Sequence, residues 1–208
     1  MSAPDYASAR RHLMRRDPVL GAVIKRIGPC GLSRSQHTDH LTSLVVAIAN
    51  QQLSGKAAAT IFGRFLALFP EKRIPNAAAI DRIDDDTIRG VGFSRPKVSY
   101  LRDLCAHIAD GRLQLEAVSS LPDEEVIAQI TSVKGLGRWS AEMYLMFRLN
   151  RPDVLPVADL GIATAIQRVY RLRKRPDAKR ILAIGEPWKP YRSVACWYLW
   201  QSLQQDGL

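Results

Sequence analysis

The sequence predicts an all-α protein, on three observations. Apolar residues recur at three- and four-residue spacing along nearly the whole chain, no run alternates apolar and polar residues long enough for a strand, and glycines, prolines and capping residues punctuate the periodic segments. N-terminal helices precede a segment with Leu41, Leu44, Val45 and Ile48 at i, i+3, i+4 and i+7. Ser54 is a capping residue before Gly55-Lys56-Ala57, and the helix that follows carries Ile61, Phe62, Phe65, Leu66 and Phe69 before Pro70. Gly90-Val91-Gly92 and Gly111 bracket a helix predicted over 96–109. Pro122 opens one over 123–131, and Pro152 and Pro156 follow one over 138–149. The last three are predicted over 160–172, 178–184 and 191–204. With no repeat, low-complexity stretch or long linker, residues 1–208 read as one domain.

Composition narrows the class. The 208 residues, 47% apolar, suffice for one compact domain or two fused lobes. Thirty Lys and Arg against twenty Asp and Glu give a net charge of +10, which favours a polyanionic partner, nucleic acid first. Cys30, Cys105 and Cys196 are too few and too scattered for a disulfide scaffold or a four-cysteine zinc or iron–sulfur site, and read as small core residues. His12, His37, His40 and His107 show no metal-ligand spacing, so no metal is expected. The first 18 residues carry four arginines, and no purely apolar run exceeds seven residues. The expectation is a soluble, cytoplasmic chain, nucleoid-associated if bacterial.

Two stretches could carry chemistry. In Val133-Lys134-Gly135-Leu136-Gly137-Arg138-Trp139-Ser140-Ala141-Glu142, two glycines flank one apolar residue between predicted helices. Such a hairpin can present backbone N–H groups at a helix start to a phosphate without reading sequence, with Leu136 plugged into the core. It also reads as an ordinary helix–Gly–helix turn, and its carbonyls, near Val133 to Leu136, would suit a monovalent cation. In Leu155-Pro156-Val157-Ala158-Asp159-Leu160-Gly161-Ile162, one carboxylate stands in apolar surroundings before a helix, 22 residues after Gly137. Asp159 is either a simple N-cap or an ionised group held in a desolvated site to face a developing cation.

The glycine hairpin followed by Asp159 resembles the helix-hairpin-helix superfamily of DNA glycosylases. Three ordered motifs, Ile48-Ala49-Asn50-Gln51-Gln52-Leu53-Ser54-Gly55-Lys56-Ala57-Ala58, Gly135 to Met143, and Pro187-Trp188-Lys189-Pro190-Tyr191-Arg192-Ser193, are similar to the 3-methyladenine DNA glycosylase II family. The similarity runs from about 38 to 201. Larger bacterial members carry an N-terminal β-rich domain, whereas about 37 residues precede the region of similarity here, as in the compact, all-helical form.

The resemblance implies a two-lobed helix-hairpin-helix fold, one lobe near 38–155 and the other formed by 1–37 with 156–208, and an active site in the cleft between them. It implies flipping of an alkylated purine out of duplex DNA, hydrolysis of its N-glycosidic bond and an abasic product. Asp159 matches the catalytic aspartate, able to stabilise an oxocarbenium ion and orient water. Trp139, Trp200 and Met143 match substrate-pocket positions, although Met143 and Gln201 stand where the larger enzyme has tyrosines; the two tryptophans also read as core residues. Gln52, where the larger enzyme has Leu, or Leu53 is the wedge that fills the gap left by the flipped base. Gln51 and Gln52 also read as a buried helix-end amide pair.

Lys134, Gly135, Gly137, Arg138, Ser94 and Lys97 are the remaining DNA-binding candidates, Ser94 and Lys97 through the turn Gly92-Phe93-Ser94-Arg95-Pro96-Lys97. The lyase branch of the superfamily places a lysine nucleophile where this chain has Trp139, and an indole forms no Schiff base, so a monofunctional enzyme is expected. The implied partner is double-stranded DNA containing alkylated bases, with no membrane and no organic cofactor, and the chain is expected to be a monomer. A glycosylase of the same fold for hypoxanthine or an oxidised base, and a non-catalytic DNA-binding module, remain as alternatives. The run Arg171, Arg173, Lys174, Arg175, Lys179 and Arg180 reads as a solvated face or a further DNA contact, and Glu142 as support for the site or a surface pair.

Overall fold

The computed structural model describes residues 6–32 and 39–204. Twelve α-helices and no strand occur among them: α1 (Tyr6–Arg16), α2 (Pro18–Ile27), α3 (His40–Asn50), α4 (Gly55–Leu66), α5 (Ala77–Asp81), α6 (Asp85–Gly90), α7 (Arg95–Ala109), α8 (Asp123–Ser132), α9 (Arg138–Phe147), α10 (Leu160–Val169), α11 (Ala178–Gly185) and α12 (Arg192–Gln204). The chain divides into two compact units, Met1–His37 with Leu145–Leu208, and Thr38–Tyr144. The second division therefore falls within α9, not near 155 as the sequence suggested.

The core of the unit of residues 38–144 contains an aromatic cluster. Phe65 on α4 meets Phe69 edge-on at 5.3 Å and Phe93 at 5.0 Å, and all three rings are buried. Ser54 caps α4 through the Ala57 N–H, as the sequence suggested. The sequence periodicity did not reveal α5 and α6, because five and six residues are too few to display a helical repeat. Their caps were visible, however: Asn76 accepts from the Ala79 N–H at 2.9 Å and Asp84 from the Thr87 N–H at 2.8 Å. Helices this short are not stable alone. Arg102 of α7 holds them, donating to the carbonyls of Ile80, Asp81 and Ile83 and to the Asp85 carboxylate.

The other unit is assembled from chain segments far apart in sequence. α12 runs through its middle with Val194, Ala195, Cys196, Tyr198 and Leu199 all buried. A helix buried on most sides shows little one-faced periodicity, and this one is apolar on several faces. Asp17, 8% exposed, organises the centre. One of its oxygens caps α2 through the Leu20 N–H at 3.0 Å, and the other accepts from Trp188 Nε1 at 2.8 Å and from the Tyr170 hydroxyl. Burial and the adjacent carboxylate push the Tyr170 phenol far above its ordinary range. Tyr198 further ties α12 to the end of α2 by donating to the Gly28 carbonyl at 2.8 Å.

Candidate active site and nucleic-acid interface

Within the unit that contains α10, the segment before that helix is anchored by buried Val154, Leu155 and Pro156. A turn closed by the Asp159 N–H on the Pro156 carbonyl, at 3.0 Å, then delivers Asp159 to the helix start. Its Oδ1 accepts from the Ile162 N–H at 2.7 Å and from Trp200 Nε1 at 3.0 Å. The capping role and the poorly hydrated carboxylate are thus the same arrangement. Asp159 is 9% exposed, while Leu160 beside it is 62% exposed, so the helix opens at the surface.

Trp200 is half-buried and stacks on Phe147, ring centroids 5.8 Å apart and planes 29° from parallel. Gly161 makes the cluster possible: a Cβ there would stand 3.0 Å from Asp159 Oδ1 and 3.1 Å from the Trp200 indole. Sequence reasoning placed Asp159 and Trp200 in one site but missed Phe147. Its one signal was the four-residue spacing from Met143 on a helix.

In the other unit the hairpin has the expected form. Leu136 is buried at 3% exposure, its N–H closes the turn on the Val133 carbonyl at 3.0 Å, and Gly135 has φ +82. A Cβ on Gly135 would lie 2.3 Å from the Tyr100 ring, so both backbone angle and packing demand glycine. At Gly137 a Cβ would meet nothing within 4 Å. The Gly137 carbonyl accepts the Ala141 N–H and starts α9.

On that helix Trp139 is 49% exposed and Met143, one turn on, is half-buried. Trp139 is therefore not a core residue. The Gly135 carbonyl accepts Gln51 Nε2 at 2.7 Å, which ties the α3–α4 loop to the hairpin. Gln51 is the structural amide of the pair. Gln52, with φ +56, and Leu53, 39% exposed, stand out at the loop tip.

The basic candidates all have internal acceptors. Lys134 donates its N–H to Asp103 at 2.7 Å and its ammonium to Ser99 at 3.4 Å. Lys97 donates to the Ala49 carbonyl at 2.7 Å, near the C-terminus of α3, and partial burial holds its ammonium below the usual lysine range. Arg138 is gripped by both oxygens of Glu124, at 2.7 and 3.1 Å, and by Glu142 at 3.2 Å. The Glu124 pair raises the guanidinium's proton affinity and lowers the Glu124 carboxyl. Glu142, 4% exposed, is therefore a buried support and not a surface pair. Ser94 is exposed at the N-cap of α7 and makes no side-chain capping bond.

Among the described residues no group of three or more His, Cys, Asp and Glu is placed to hold a metal ion. His37 lies outside them. The carbonyls of Val133 and Gly135 each accept one hydrogen bond and keep a second lone pair, so the hairpin fits a monovalent cation without requiring one. Cys105 and Cys196 are buried as expected, whereas Cys30 is only half-buried. Burial pushes the Cys30 thiol up to about 11 and the Cys105 thiol up to about 12.

A glycine hairpin thus leads into a helix in one unit, and a capping aspartate is desolvated beside an indole in the other. The chain belongs to the HhH-GPD superfamily of base excision DNA repair proteins, whose pattern fits residues 45–190. It is 35% identical to DNA-3-methyladenine glycosylase 1 of Schizosaccharomyces pombe over 196 residues, 93% of this chain and 86% of that protein. The structure of the Schizosaccharomyces pombe 3-methyladenine DNA glycosylase in complex with abasic DNA matches with a TM-score of 0.87 at 34% identity, covering 96% of this chain and 98% of that one. The DNA-3-methyladenine glycosidase of Bacillus halodurans matches with a TM-score of 0.83, also at 34% identity, covering 93% and 88%.

Proposed function

We propose that this chain is a monofunctional DNA-3-methyladenine glycosylase, which hydrolyses the N-glycosidic bond of alkylated purines in duplex DNA and leaves an abasic site. The observation that carries this reading is Asp159, buried and held by the Ile162 and Trp200 N–H donors, in a chain whose relatives bear that name. As the bond to the base breaks, positive charge develops on the sugar. A fixed carboxylate in poorly hydrated surroundings stabilises it and orients the attacking water. A base alkylated at N3 or N7 leaves already charged, so one carboxylate suffices.

The Trp200–Phe147 stack of one unit, and in the other unit the exposed Trp139 with Met143 one turn on, are faces that attract such a cationic base. Gln52 or Leu53 fills the space of the extruded nucleotide. The hairpin N–H groups at Gly135 and Gly137, with Ser94, Lys97, Lys134 and Arg138, contact phosphates. The reaction uses no organic cofactor; any cation sits at the hairpin carbonyls. The protein acts as a monomer in the compartment that holds DNA, cytoplasmic and, if the host is bacterial, associated with the nucleoid. No helix among the described residues is long and apolar enough to cross a membrane.

Asp159→Asn tests the reading. The variant is expected to keep its fold and its affinity for abasic duplex while releasing no base from methylated DNA, measured by alkali cleavage at the abasic sites. Retention of even about a tenth of wild-type release would remove Asp159 from the chemistry. Tight binding by the wild-type protein without any base release would make it a non-catalytic module. Strand nicking without alkali would make it a lyase.

A further inference from the structure

A second site lies at the far end of α10. One side of α2 is buried through Leu20, Gly21, Val23 and Ile24. Val19, Ala22 and Arg26 of its outer side, with the edge of buried Val23, line a depression of about 400 Å³, which the C-terminal end of α10 closes with Arg168, Val169, Tyr170 and Arg171. Val19 is 44% exposed, so the floor is apolar and open to solvent. The described lining residues include three arginines and no carboxylate. Asp17, whose carboxylate meets the lining residue Tyr170 from behind, is turned inward onto Leu20, Tyr170 and Trp188.

Helix-dipole compensation accounts for Arg26 and Arg168 in the last turns of their helices. It does not account for the apolar floor, nor for Arg171, which stands beyond the helix in the left-handed region at φ +52, a conformation costing a non-glycine residue about 1–2 kcal/mol. The exposed run Arg173, Lys174, Arg175 follows in the sequence. A DNA backbone would satisfy the arginines and leave the apolar floor empty. The groove also lies at the end of α10 opposite Asp159, roughly 15 Å away along ten helical residues.

We propose that this groove binds a short acidic segment of a partner protein. One large apolar side chain of the segment sits on Val19, Ala22 and Val169, between carboxylates paired with Arg26, Arg168 and Arg171.

A random heptapeptide library displayed on phage, panned on the full chain and counter-selected on the Arg168→Ala/Arg171→Ala variant, tests this. The expected winners carry one Leu, Phe or Trp flanked by at least two Asp or Glu. As synthetic peptides they should bind at least about tenfold more weakly to that variant and to Val19→Asp, both of which keep the wild-type melting temperature. Should the double variant not fold, Arg171→Gln gives the same comparison. An excess of abasic duplex should leave the peptide bound. No enrichment, enrichment of sequences without acids, or equal binding to the variants would overturn the proposal. So would displacement by undamaged duplex, which would mark a nucleic-acid surface, or by inorganic phosphate, which would mark a simple anion site.

Discussion

One oxygen of Asp159 receives two N–H donors, and the two have different consequences. The Ile162 N–H belongs to the helix and stays whatever side chains surround it; the Trp200 N–H can be removed without losing the ring. Trp200→Phe keeps the stack on Phe147 and leaves the carboxylate with one donor fewer. Single-turnover base release is expected to fall about tenfold, the effect of about 1.4 kcal/mol on the barrier, while affinity for abasic duplex stays within about twofold. A parallel loss of affinity would show that the indole acts only by stacking. The same residue shows why a cap and a catalytic group are not competing explanations. Both need an acidic side chain held at a helix start; limited solvent contact and a neighbouring indole separate this one from exposed Asp84, and Asp17, which shares both features, has its second oxygen taken up by Trp188 and Tyr170.

The hairpin between α8 and α9 separates two demands that its glycines share in the sequence. Gly135 is needed by the fold, through φ +82 and the Tyr100 ring against it; Gly137 has open space where a side chain would go. Gly135→Ala is therefore expected to destabilise the protein by at least about 2 kcal/mol in urea unfolding. Gly137→Ala should change stability by less than about 0.5 kcal/mol and still weaken DNA binding, read by fluorescence anisotropy, because a phosphate approaching the start of α9 needs the surface clear of a methyl. Unchanged affinity in Gly137→Ala would leave the hairpin as a turn and no more. The motif was legible because glycine, buried leucine and glycine constrain each other locally. What the spacing did not disclose is that Gln51 crosses to the Gly135 carbonyl and that Arg138 is already paired with Glu124 and Glu142.

Across the molecule, the centre of the split unit rests on Asp17, which joins α2 to residues 153 and 171 positions away. Asp17→Ala would leave the Tyr170 hydroxyl and the Trp188 N–H buried without an acceptor. Urea unfolding should show a loss of about 3 kcal/mol, against about 1 kcal/mol for Tyr170→Phe, which removes a single bond. Equal losses would mean that the network contributes little beyond the α2 cap. Nothing in the sequence marked Asp17, since an aspartate before a proline reads as a helix start and its long-range partners have no local signature. The chain alone fixed the helical class, the longer helices to within a few residues, the hairpin, and Asp159 as its one candidate acid. Those follow from periodicity, capping and glycine stereochemistry, which act over a single turn. Folding settled the rest, because contacts between distant segments depend on how surfaces pack: the short α5 and α6 held by Arg102, Phe147 behind Trp200, the internal pairing of the basic residues, and the division within α9.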